Sequence, residues 1–153
     1  MTSALLAFLH HAAAFVLFGS LMAELVLTKS ELSLTSARSL LRMDAAYGMS
    51  AMLLLVIGFL RVVYTEKGAS YYFGSVPFIA KISLFAIVGL LSIRPTREFL
   101  SWRAALRQQR IPAFDEGRRR AIRRTIHIEL TLLVGIMLCA ALMARGIGFI
   151  GWK

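Results

Sequence analysis

Four stretches of the chain are almost continuously apolar, and most of the charge lies between them. The first, 4–27, is broken by His10, His11, Ser20 and Glu24. The second, 45–64, has Asp44 at its start and Arg61 near its end, and the third, 77–93, carries Lys81. The fourth, 126–144, has His127 and Glu129 near its beginning. A bilayer core of about 30 Å needs about 20 mainly apolar helical residues, so each stretch predicts one membrane span. The expectation is an all-α, four-helix transmembrane bundle that fills residues 1–153 as a single domain. The longest connection, 94–124, reads as helical at both ends and broken near Pro112.

Charge gives the bundle a direction. The connection after the first span has Lys29, Arg38 and Arg42 against Glu31, and the next has Lys67 against Glu66. The third holds ten arginines, from Arg94 to Arg124, against Glu98, Asp115 and Glu116. Connections rich in Lys and Arg stay in the cytoplasm, which puts the N-terminus and the C-terminus outside. Tyr71, Tyr72, Phe73 and Trp152 then suit an aromatic belt at the outer interface. The first span lacks a basic n-region and a good cleavage site, so it reads as retained rather than as a signal peptide.

Composition narrows the class further. The 153 residues are 58% hydrophobic and 17% charged, with a mean hydropathy of +0.71. Soluble domains carry about 25% charged residues, so a soluble or disordered chain is excluded. The net charge of +10 follows from the Arg-rich connection, and topology accounts for it without nucleic acid. Cys139 is the only cysteine, which removes intramolecular disulfides and cysteine-cluster metal sites. Phosphate-binding glycine loops, zinc helices and nucleophile elbows are absent.

Ionisable residues inside spans are costly and are the first functional candidates. By depth they separate into two layers. His10, His11, Arg61 and Lys81, with Arg145, fall toward the outer side. Glu24, Asp44, His127 and Glu129, with Arg42 close by, fall toward the inner side. His10, Ala14, Leu17, Leu21 and Glu24 share one helical face, with His10 about 21 Å from Glu24. His127 and Arg145 share another, and both stripes are expected to look into the bundle. Imidazole ligates haem iron or copper, so His10 and His11 are the candidate metal and cofactor ligands. Neighbouring helical residues diverge by about 100°, so both do not readily reach one metal. Lys81 and Arg61 are the candidate cofactor-binding and catalytic cations, suited to porphyrin carboxylates. His127 is too far in depth from His10 to share one haem with it, and pairs more readily with Glu24, Asp44 or Glu129. The methionines read as packing, and Cys139 as inert.

The run Leu5-Leu6-Ala7-Phe8-Leu9-His10-His11-Ala12-Ala13-Ala14-Phe15, with four spans and an Arg-rich third connection, resembles a family of small bacterial membrane proteins of unknown function. A more distant resemblance is to HemJ-type protoporphyrinogen oxidases and to CopD-like membrane bundles. It rests on Phe8-Leu9-His10-His11-Ala12 and on Phe78-Ile79-Ala80-Lys81-Ile82-Ser83-Leu84. That resemblance implies a bacterial inner-membrane location, haem b held by His10 or His11, and oxidation of a porphyrin substrate with quinone as acceptor. The doubled His, the missing Trp-rich flanks and the lack of a His after Lys81 depart from the HemJ pattern. Two other readings stay open: a proton-coupled transporter or channel-like component using the two polar layers, and a structural accessory subunit. A homodimer sharing one haem between two copies of His10 is a further option.

Overall fold

The protein is described by a computed structural model, which covers residues 2–64, 74–148 and 150. Tyr71, Tyr72, Phe73 and Trp152, expected in the outer aromatic belt, lie outside the described residues, as do Glu66 and Lys67. The described chain is all-helical. Helix α1 spans Thr2–Leu27, α2 Leu34–Tyr64, α3 Val76–Ser101, α4 Arg103–Arg107 and α5 Glu116–Ala144. The four long helices α1, α2, α3 and α5 are apolar and long enough to cross a membrane. They alternate in direction, with α1 and α3 running toward the Arg-rich end.

Three helices continue well past their apolar stretches at that end. Helix α2 has 31 residues, or about 46 Å of rise, against a hydrocarbon core of about 30 Å. Its extra turns carry Leu34, Ala37, Leu40 and Leu41 at helical spacing, and Ala37 and Leu40 are fully buried. Helix α3 runs on through Pro95 to Ser101, and α5 begins at Glu116. The Arg-rich connection is therefore largely built structure, with residues 108–115 as its irregular part and the buried Pro112 within it.

Local chemistry sets these ends. Ser33 and Ser36 cap the start of α2 reciprocally, Ser33 N donating to Ser36 Oγ (2.8 Å) and Ser36 N to Ser33 Oγ (3.1 Å). Asp115 caps α5 by accepting from Arg118 N at 2.9 Å. Pro77 lies in the first turn of α3, where its missing N–H costs nothing. At the other end of the bundle, Val76 N donates to Gly148 O (3.1 Å) and Ile150 N to Gly74 O (2.9 Å), tying the end of α5 to the start of α3. Gly148 has φ +78°, and a Cβ there would come within 2.9 Å of Pro77 Cδ, so only glycine fits.

Packing is uneven. Helix α1 lies along α2, and α3 along α5; contacts between these two pairs run over shorter stretches. The tightest core is at the Arg-rich end, where Leu40, Phe99, Trp102, Leu106, Ile122 and Ile126 are buried together. The Trp102 ring meets Phe99 and Phe114 edge-on, at centroid distances of 5.1 and 5.0 Å. The Arg119 guanidinium covers Phe114 at 5.5 Å. Toward the opposite end the pairs separate enough to leave a cavity.

Candidate functional site

The cavity lies between the two helix pairs and has a volume of about 470 Å³. Ligand pockets commonly measure about 300–1,000 Å³. Phe18, Phe59, Phe78, Phe85, Leu133 and Met137 are among its apolar lining. Two side chains give this wall polarity: His10 from α1 and Lys81 from α3. Phe59, Ile82 and Met137 are also exposed on the outside of the bundle, so the cavity opens sideways, where a bilayer would lie.

His10 owes its place to the α1 face shared with Ala14 and Leu17, which also line the cavity. Gly58 of α2 lies opposite, and a Cβ there would sit 3.8 Å from His10 Cε1. The imidazole Nδ1 is buried with no hydrogen-bond partner among the described residues. His11 does not share this position. It lies on the outside of α1, its Nδ1 donating to Ala7 O at 2.6 Å, and the two rings stand edge to face, 6.2 Å apart. Arg61 is half-buried and off the cavity wall, yet within electrostatic reach of both His10 and Lys81. Of the four outer-layer candidates, then, two line the cavity, one stands behind it and one faces away. Arg145 is exposed where α5 ends.

The second layer also assembles, with one correction. Glu24, Asp44 and Glu129 are buried and within electrostatic reach of one another, on α1, α2 and α5. His127, expected to join them, is exposed on the outside of α5. Two helical positions amount to a rotation of about 200°, so turning Glu129 inward turns His127 outward. The expectation that the His127 stripe looks into the bundle therefore fails for that residue. Thr96 Oγ1 of α3 donates to Asp44 Oδ1 at 2.6 Å. Tyr47 is buried in the same layer, and its hydroxyl reaches Ser92. Sequence reasoning passed over Tyr47, Ser50 and Thr96. The signal was available for the first two, because Asp44, Tyr47 and Ser50 recur every third residue on one face of α2.

Between the two layers lie the buried side chains of Leu17, Leu21, Val88 and Leu133. Among the described residues, no group of three or more His, Cys, Asp or Glu side chains is arranged to hold a metal ion.

These features define a class: an integral membrane protein with four apolar helices, a sideways-opening cavity near one end and a buried carboxyl layer toward the other. The chain belongs to the family described as "Predicted membrane protein (DUF2214)", whose model matches residues 2–148. No curated protein and no solved structure matches it.

Proposed function

We propose that the cavity is a tetrapyrrole site that holds haem b, with His10 facing the iron and Lys81 facing the propionates. The observation that carries this reading is the pairing of one imidazole, its buried Nδ1 without a hydrogen-bond partner among the described residues, with one ammonium on an otherwise apolar wall. Haem iron arrives with four ring nitrogens, so one imidazole is enough to fix it, as in globins and peroxidases. A bare ion would need more protein ligands than the pair His10 and His11 can offer, since their rings point apart. Arg61, behind the wall, adds positive potential on the carboxylate side.

When bound, haem would supply one-electron chemistry. The chain's own contribution is to exclude water with the phenylalanine walls, to orient the macrocycle between His10 and Lys81, and to leave the side opening for lipid-soluble partners. Porphyrins and quinones are the substrate classes that fit such an opening. With the orientation set by the Arg-rich connection, the cavity lies near the outer face of a bacterial inner membrane.

The test is an absorption spectrum of detergent-purified protein from haem-replete cells, oxidised and then reduced. The expected result is a Soret band with α and β bands on reduction, lost in His10→Ala. A flat spectrum at full protein recovery removes the haem reading. A monomer that carries stoichiometric haem removes the shared-haem dimer.

A further inference from the structure

The carboxyl layer plays no part in the haem reading, yet it is the most unusual polar feature of the bundle. Glu24, Asp44 and Glu129 are 1%, 6% and 0% exposed. Glu24 Oε1 and both Glu129 carboxyl oxygens are buried without a hydrogen-bond partner among the described residues. None of the three forms an ion pair among the described residues; Arg103 of α4 lies within electrostatic reach of Asp44.

Several nearby hydroxyls, just past α1 and on α2 and α3, are already committed, and that of Tyr47 reaches Ser92. Thr28 Oγ1 donates to Leu25 O (2.9 Å), Ser50 Oγ to Tyr47 O (2.9 Å) and Ser92 Oγ to Gly89 O (2.8 Å). Thr96 serves Asp44. An ionised carboxylate only accepts hydrogen bonds, whereas a protonated carboxyl also donates one. Three buried carboxylates with no paired cation would carry a heavy desolvation cost. Protons on the carboxyls remove the charge and supply the missing donors in one step.

We propose that Glu24, Asp44 and Glu129 form a proton-holding site in which bound protons join the carboxyls of α1, α2 and α5. Glu129 carries the argument beyond a mere acidic cluster, because it is fully buried, unpartnered and brought by a separate helix toward the other two. The leucine and valine block of Leu17, Leu21, Val88 and Leu133 separates this site from the cavity, so it stands whether or not haem is bound.

Infrared spectroscopy of the full chain in an ester-free detergent tests this. At neutral pH a protonated-carboxyl stretching band is expected, shifted in D2O and weakened in Glu24→Gln and in Glu129→Gln. The glutamine variants keep the side-chain shape and supply N–H donors, so they are expected to retain the helical content. Absence of the band in folded wild-type protein overturns the proposal. So does a band that all three single variants, Asp44→Asn included, leave unchanged. Loss of the wild-type band on adding sodium or potassium chloride would instead assign the layer to a metal cation. If one variant fails to fold, the wild-type band and the remaining two variants still decide the matter.

Discussion

Thr96 and Asp44, 52 residues apart, are joined by a 2.6 Å hydrogen bond that links α3 to α2. It lies on the Arg-rich side of the place where these helices part around the cavity. It also gives Asp44, alone of the three buried carboxyls, a hydroxyl donor from another helix among the described residues. Thr96→Val keeps the shape and removes that donor. Leaving a buried acceptor unsatisfied costs about 1–3 kcal/mol, so a lowered melting temperature in detergent is expected, and Thr96→Ser should restore most of it.

His10 and His11 adjoin in sequence but diverge by about 100° around α1, His10 toward the cavity and His11 toward the outside. Under the haem reading, His10→Ala loses the bound pigment and His11→Ala keeps it, measured as Soret absorbance per protein. Equal loss in both variants would mean that the cavity wall does not hold the iron.

Gly58 opposite His10 leaves the cavity open between α1 and α2. Gly58→Leu places further atoms in that space. Ligand occupancy is expected to fall while helical content by circular dichroism stays at the wild-type level. Unchanged occupancy would place the ligand elsewhere.

Trp102 anchors the packed core at the Arg-rich end, between Phe99 and Phe114. Trp102→Ala is expected to destabilise by about 3–5 kcal/mol, the usual cost of removing a large buried aromatic side chain. Phe15, 82% exposed on the outside of α1, is the control. Phe15→Ala should stay within about 0.5 kcal/mol, as surface changes usually do. Chemical denaturation of the detergent-solubilised protein measures both.

Much of the fold can be read directly from the chain. Four apolar stretches give four helices, and the depth of each ionisable residue follows from counting along them. His10 and Lys81 thus fall in one layer, and Glu24, Asp44 and Glu129 in another, before any contact is known. Rotation about each helix axis is harder to read. In a soluble protein the polar face of a helix marks its outside. In a membrane the lipid is as apolar as the core, so Phe15 on the outside and Leu17 on the inside look alike. This is why His10 could not be separated from His11, nor Glu129 from His127, by pattern alone.

The sequence by itself determined the number of membrane-length helices, their alternation, the two polar levels and the Arg-rich end. It did so because hydrophobic length and charge act locally, one segment at a time. Only the tertiary structure decided that α2, α3 and α5 extend beyond their apolar stretches into a packed core, that the helix pairs part to form a cavity, and that three buried carboxyls come within electrostatic reach of one another with no paired cation among the described residues. Those outcomes depend on which faces of distant segments fit together, and the fit belongs to pairs of helices rather than to either one.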